Sequence, residues 1–174
     1  VRPSPRVSFV SAARRGRKSA TAAAITRTSA GWSITAPTTA DRISAVDSAW
    51  TTALRDPNEA STVVRARYGE VRFLLTGDAE SGEESWLLQH ASGRLSADVL
   101  KTGHHGSSTS STPEFLDAVA PRVALVSVGA GNAYGHPSAD VMRRLVERGA
   151  TVLRSDQLGS VIVRTDGTSL DIEA

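Results

Sequence analysis

Short apolar runs alternate along this chain with stretches of helical period. RVSFVSA near the start and WSITAP after Gly31 read as strands. Residues 38–57 are polar and closed by Pro57, which predicts a long loop with one helical turn around Val46–Leu54. STVVRARY at 61–68 alternates, Gly69 and Glu70 supply a two-residue turn, and VRFLLTG follows, which together predict a hairpin. ESGEESWLLQH predicts a helix with acidic residues in its first turn and Trp86, Leu87 and His90 toward one face. ADVLK at 97–101 is a short buried strand that runs into the loop TGHHGSSTSST. Pro113 opens the next helix, with Phe115, Leu116 and Val119 as its apolar face. RVALVSVG suits a central strand. In HPSADVMRRLVERG, Pro137 and Ser138 open a helix, Val141, Leu145 and Val146 line it, and Gly149 stops it. TVLRS, GSVIVRT and TSLDIE close the chain as strands. Strands alternating with helices imply an α/β layered domain.

Composition narrows the class. At 174 residues the chain is the size of one ordinary domain, and 40% hydrophobic with 22% charged residues excludes wholesale disorder. No apolar run approaches the roughly 20 residues that span a bilayer. The absence of cysteine excludes disulfides, thiolate metal sites and a cysteine nucleophile. The net charge of +2 averages two unlike regions. Residues 1–30 hold seven basic and no acidic residues, whereas the remainder holds 13 basic and 18 acidic. The basic segment admits three readings: the frayed or truncated edge of a domain, which is preferred, a nucleic-acid-binding arm, or a transit peptide. A secretory signal is not expected, because no apolar stretch of about 7–15 residues follows the charges. Val1 in place of Met points to an unusual start codon or to a piece of a longer chain. The expected division is therefore a basic segment, 1–30, followed by an α/β unit, 31–174.

The candidate chemistry is in the loops. Of four histidines, His104 and His105 lie in LKTGHHGS and His136 in NAYGHPS, while FLLTGD ends a strand on Asp78. Loops at strand ends of an α/β sheet are where ligands bind, because rigid strands aim short loops at one place. Aspartate with histidine suits Zn or Mn. Gly77, Gly103, Gly106 and Gly135 flank these residues and would let the backbone turn sharply. Taken alone, TGD is an ordinary strand-to-helix connection and YGHP an ordinary solvated or core histidine. HHGSSTSS is more specific: adjacent histidines in a Gly/Ser loop after a buried strand point to metal or phosphate. The hydroxyls of Ser107, Ser108, Ser110 and Ser111 could receive phosphate oxygens or satisfy the loop's own backbone.

NEASTVVRARYGEVRFLLTGD, ADVLKTGHHGSSTSSTPEFLDAVAPRVALVSVG and NAYGHPSADVMRRLVERGATVLRSDQLGSV, in this order, resemble the metallo-β-lactamase-fold domain of ComEC-type DNA-uptake proteins. The resemblance runs from about Asn58 to about Arg164. It implies a partial metallo-β-lactamase fold, half of an αββα sandwich whose mixed sheet is flanked by helices. It implies Asp78 as a bridging metal ligand and His105, in preference to His104, as another. His104 would then be a neighbour or proton-transfer group, and His136 would lie at the site's edge. Lys101 would lie near the chemistry, and Asn58, Ser107 and Ser108 near phosphate.

The expected activity is metal-dependent hydrolysis of DNA phosphodiesters with two Zn or Mn ions. The expected setting is a soluble domain on the outer face of a bacterial plasma-membrane protein. Such enzymes also carry an H-x-H-x-D-H motif in their first half, and this sequence has no histidine before His90. The chain thus reads as the C-terminal half of the domain, inactive alone. Its expected partners are DNA, an N-terminal half-domain or membrane channel portion, and further copies of itself. The rival readings are a non-catalytic remnant and a nucleic-acid-binding module that has lost its metal site.

Overall fold

A computed structural model describes the backbone of residues 7–11, 23–28, 31–32 and 39–44, and residues 61–174 in full. Strands β1 (Val7–Ser11), β2 (Ala23–Thr28) and β3 (Gly31–Trp32) come first. β4 (Thr39–Ser44), β5 (Thr62–Tyr68) and β6 (Val71–Leu75) follow. Beyond them α1 (Ser81–Ala91), β7 (Val99–Lys101), α2 (Pro113–Val119), β8 (Val123–Val126), α3 (Ala139–Glu147) and β9 (Thr151–Arg154) alternate. A single helical turn, α4 (Ser155–Leu158), leads to β10 (Val161–Thr165) and β11 (Leu170–Glu173).

Two sheets result. The first runs β4-β5-β6-β7-β8-β9, antiparallel as far as β6 and parallel from β6 to β9. The second runs β11-β10-β1-β2-β3 and is antiparallel throughout. Parallel neighbours cannot be joined by a tight turn, so each parallel step is bridged by a helix. The molecule is α/β, its mixed sheet carrying a helical layer.

Side-chain alternation decides what each face of the mixed sheet meets. Leu74, Leu100 and Ala124 point toward the helices and pack with Leu87 of α1, Phe115, Leu116 and Val119 of α2, and Val141 and Leu145 of α3. Val71, Phe73, Val99, Val123 and Leu125 point the other way and pack against Val161 and Val163 of β10. Period-2 alternation with apolar residues on both faces is the mark of a sheet buried on both sides. The second sheet covers the face that the helices leave.

The predicted hairpin is present, with Gly69 and Glu70 as its turn. Gly69 has φ 59, and a Cβ there would stand 2.4 Å from the carbonyl oxygen of Gly167. The tip of this hairpin therefore touches the β10–β11 turn backbone to backbone, and Glu70 N donates to Gly167 O at 2.7 Å.

Some expectations are corrected. Thr39–Ser44, expected in a loop, is a strand paired with β5 from Thr39↔Arg67 to Ser44↔Thr62. β4 is an edge strand, where polar residues are tolerated, so composition did not reveal it. The helical turn expected around Val46–Leu54 lies outside the described residues, as does WSITAP beyond Trp32. On α1 the buried positions are Glu83, Glu84, Leu87 and Ala91, while His90 is exposed and stacks on Trp86 at 4.5 Å. On α3, Val141 and Leu145 are buried, but Val146, one step around the helix, is 62% exposed. α4 was not anticipated, since a single turn shows no periodicity. Ser155 ties it to the end of β8 by accepting from Val128 N (2.8 Å) and donating to Val128 O (2.9 Å). Within the basic segment, β1 lies between β10 and β2.

Candidate functional site

The C-terminal ends of three adjacent parallel strands, β6, β7 and β8, are in register: Leu75 pairs with Lys101, and Lys101 with Leu125. Each strand then releases its loop at the same edge of the sheet. The loop after β6 carries Asp78, that after β7 carries His104 and His105, and that after β8 carries His136. Parallel topology alone brings these residues together from positions far apart in sequence.

Lys101 ends β7 with its side chain on the inter-sheet face, between Leu75 and Leu125 in the adjacent strands. It is 3% exposed. Its ammonium donates to the carbonyl of Gly77 and lies 3.7 Å from Asp78 Oδ1. Burial pushes its pKa down to about 8, against the opposing pull of the Asp78 carboxylate. Thr76 secures the crossing by donating from Oγ1 to Lys101 O at 2.8 Å. Ser61 Oγ accepts from Asp78 N at 3.1 Å and fixes the start of the turn.

His104 and His105 both lie in the left-handed region, with φ 41 and φ 55. Consecutive non-glycine residues there are costly, of order 1–3 kcal/mol each. Neighbouring bonds impose the conformation. His104 N donates to Gly77 O (3.3 Å), Ser107 N to His104 O (2.8 Å) and Ser110 Oγ to Gly103 O (2.8 Å). A Cβ on Gly103 would meet Ala79 O at 2.4 Å, so only glycine lets the first two loops approach this closely. The other glycines expected to turn the chain, Gly77, Gly106 and Gly135, have positive φ.

The imidazoles are oriented individually. His105 Nδ1 donates to Ser127 O at 2.6 Å, and its Nε2 faces Asp78 Oδ1 at 3.5 Å. His104 Nδ1 is 2.5 Å from Glu80 Oε1. The rings of His104 and His136 meet edge to face at 5.4 Å, and Tyr134 stacks on His136 at 6.1 Å. Burial, and then the nearby charges of His104 and His105, lower the pKa of His136. The third loop is closed by Asn132, whose Oδ1 accepts from Tyr134 N and His136 N at 3.1 Å each. The Asn132 amide nitrogen donates to His136 O at 2.6 Å.

Asp78, Lys101, His104, His105 and His136 thus share one edge of the sheet. Ser107 and Ser110 use their hydroxyls inside the loop, Ser107 with Thr109 Oγ1 at 2.9 Å and Ser110 with Gly103 O and Ser107 O. Ser108 is exposed and Ser111 buried. Asn58 lies outside the described residues. Sequence reading missed Glu80, Ser61 and Asn132. Glu80 looked like a residue that merely favours the start of a helix, yet its spacing of two from Asp78 was the available signal.

The donor set bears on a bound metal. Asp78 Oδ1 and His105 Nε2 can face one cation, with His105 held as the tautomer whose Nε2 lone pair points outward. Among the described residues no three His, Asp or Glu side chains converge on a point that would hold a metal ion. A zinc site requires at least three protein ligands, so the described residues alone do not fit a Zn or Mn pair.

No family model matches the sequence. Among curated relatives, the chain is 42% identical over 106 residues to competence protein ComA of Neisseria gonorrhoeae, covering 61% of this chain and 15% of the relative. It is 37% identical over 107 residues to ComE operon protein 3 of Bacillus subtilis, covering 62% and 14%. Recombination protein 2 of Haemophilus influenzae is 36% identical over 119 residues, covering 68% and 15%. The chain therefore spans about one seventh of the length of the curated relatives it matches.

Proposed function

We propose that this chain belongs to a ComEC-type DNA-uptake protein. In this reading it is the C-terminal half of a metallohydrolase-like domain with the metallo-β-lactamase fold, facing outward from a bacterial plasma membrane. The carrying observation is that Asp78, Lys101, His104, His105 and His136 lie at one edge of the sheet, at the ends of three parallel strands. The relatives named for competence and recombination support the same reading. Among the described residues, no helix is long and apolar enough to cross a membrane.

The substrate is a DNA phosphodiester and the reaction its hydrolysis. Asp78 and His105 are the donors this segment contributes to a Zn or Mn centre, whose further ligands come from outside residues 61–174. His104, held by Glu80, handles a proton. Lys101 is a buried cation beside Asp78, and Ser107 and Ser108 lie on the loop nearest the backbone phosphate. With two such donors among the described residues, the chain alone does not cleave DNA. Incubation with Mn or Zn and labelled single-stranded DNA should show no cleavage above an Asp78→Ala control. Cleavage that depends on Asp78 would overturn the division of the site between segments. The shortfall in donors also favours the rival reading of a non-catalytic module. Elemental analysis tests that rival: metal retained by the purified chain and lost with Asp78→Ala would overturn the module reading.

A further inference from the structure

The loop that follows β8 holds one side chain that the site as described does not use. Tyr134 is 70% exposed, the most exposed of the large hydrophobic residues among those described. An exposed tyrosine on a free loop would mean little, but this loop is tied down at its base. Asn132 Oδ1 accepts from the backbone N–H of both Tyr134 and His136, and its amide donates to Gly129 O and His136 O. Four bonds from one side chain set the path of the loop and, with it, where the Tyr134 ring stands.

The ring's position is specific. It lies nearly parallel to His136, 16° between planes with centroids 6.1 Å apart, and His136 meets His104 edge-on at 5.4 Å. One side of the tyrosine ring is thus turned to the imidazole, and a side chain so exposed leaves its other side to solvent. A flat aromatic surface held open beside the imidazole of His136, whose ring N–H can donate to an anion, is suited to a ligand with both a planar ring and an anionic group. A nucleotide within a single strand has both. Base-on-aromatic stacking is worth roughly 1–3 kcal/mol per base and tolerates any sequence, because every base has a π face. In a duplex the bases are already stacked on one another and no face is free.

We propose that Tyr134 is a stacking platform for an unpaired nucleobase, so that the site takes single-stranded rather than duplex DNA. This rests on the DNA reading above and adds to it the strandedness of the ligand and the residue that reads it.

The experiment is equilibrium binding of the full chain to a fluorescein-labelled oligo(dT) strand. The comparisons are a strand of equal length with abasic positions and a duplex of the same length. Tyr134→Ala should weaken binding to the intact strand about 5- to 150-fold, the equivalent of the stacking energy. Tyr134→Trp should retain it. The abasic strand should bind wild type as weakly as the intact strand binds Tyr134→Ala, and the substitution should not alter duplex binding. Because Tyr134 packs into no core cluster, unchanged thermal unfolding of the variants is expected. Wild type that binds the intact strand while Tyr134→Ala binds it equally well, or loses equally on the abasic strand, overturns the platform and leaves the DNA reading standing. Wild type that binds none of the three overturns both.

Discussion

Four carboxylates lie within seven residues, and they divide into two pairs with opposite uses. Asp78 and Glu80 meet titratable side chains: Asp78 faces Lys101 and His105, and Glu80 faces His104. Glu83 and Glu84 are fully buried and meet backbone N–H groups. Glu83 Oε2 accepts from Ser61 N at 3.0 Å, and Glu84 accepts from Ser111 N at 2.5 Å and Thr112 N at 2.8 Å. The first pair orients groups that can exchange protons or bind cations. The second pair joins α1 to the segments that enter β5 and α2. Ser61 touches both, donating its N–H to Glu83 and accepting at its hydroxyl oxygen from Asp78 N. The lesson is that an acid's role here follows from its partner, backbone or side chain, and not from its burial alone.

The contrast is open to direct attack. Glu84→Ala removes the acceptor for two N–H groups at the mouth of α2, and each orphaned donor costs roughly 1–3 kcal/mol. Denaturant unfolding should report a loss of roughly 4 kcal/mol, and a loss below about 1 kcal/mol would erase the distinction between the pairs.

A second, slightly smaller effect is in the pH dependence. Burial pushes the Glu84 pKa up to about 7, outweighing the bonds from Thr112 and Ser111 and the charge of Arg144. Because the folded value exceeds the unfolded one, the unfolded state gives up its proton first as pH rises. Stability from this group is full below about pH 4.5, falls as pH climbs toward 7 and then levels, a change of about 3 kcal/mol at most. The stability difference between wild type and Glu84→Gln should trace that fall. A difference independent of pH from 4 to 8 would show that Glu84 titrates alike in the folded and unfolded states.

The smallest effect should come from the other pair. Glu80→Ala should cost under about 1 kcal/mol, as expected for a partly exposed hydrogen-bonded pair. Its readout is instead the imidazole of His104. Nitrogen NMR should find the neutral His104 protonated at Nδ1 in wild type and in Glu80→Gln, and a mixture of tautomers in Glu80→Ala. An unchanged tautomer in Glu80→Ala would mean that Glu80 does not position the ring.

Much of the scaffold was legible because it is local. The β5–β6 alternation, the Gly69 turn and the apolar face of α2 are each written within a dozen residues. The loops bearing Asp78, His104, His105 and His136 were legible for the same reason, since each follows its own strand. What stayed hidden depends on distant partners. Glu83 and Glu84 read as helix-start acids, and only Ser61, Ser111 and Thr112, more than 20 residues away, explain their burial. β4 is polar and owes its strand to β5. Asn132 is one polar residue in a Gly-rich loop, and its four bonds appear only once the chain is folded.

The contact between the two hairpin tips has a mechanical meaning. Gly69 meets Gly167 without any side chain between them, at the end of β6 opposite Asp78. β6 behaves as a beam clamped at its root, with the residues of the site at its free tip. Five residues of strand, about 16 Å, separate clamp from tip. A joint made of backbone has no rotamers through which to yield, so the hairpins cannot slide past one another there. Adjustment to a ligand therefore falls on the loops at the tip.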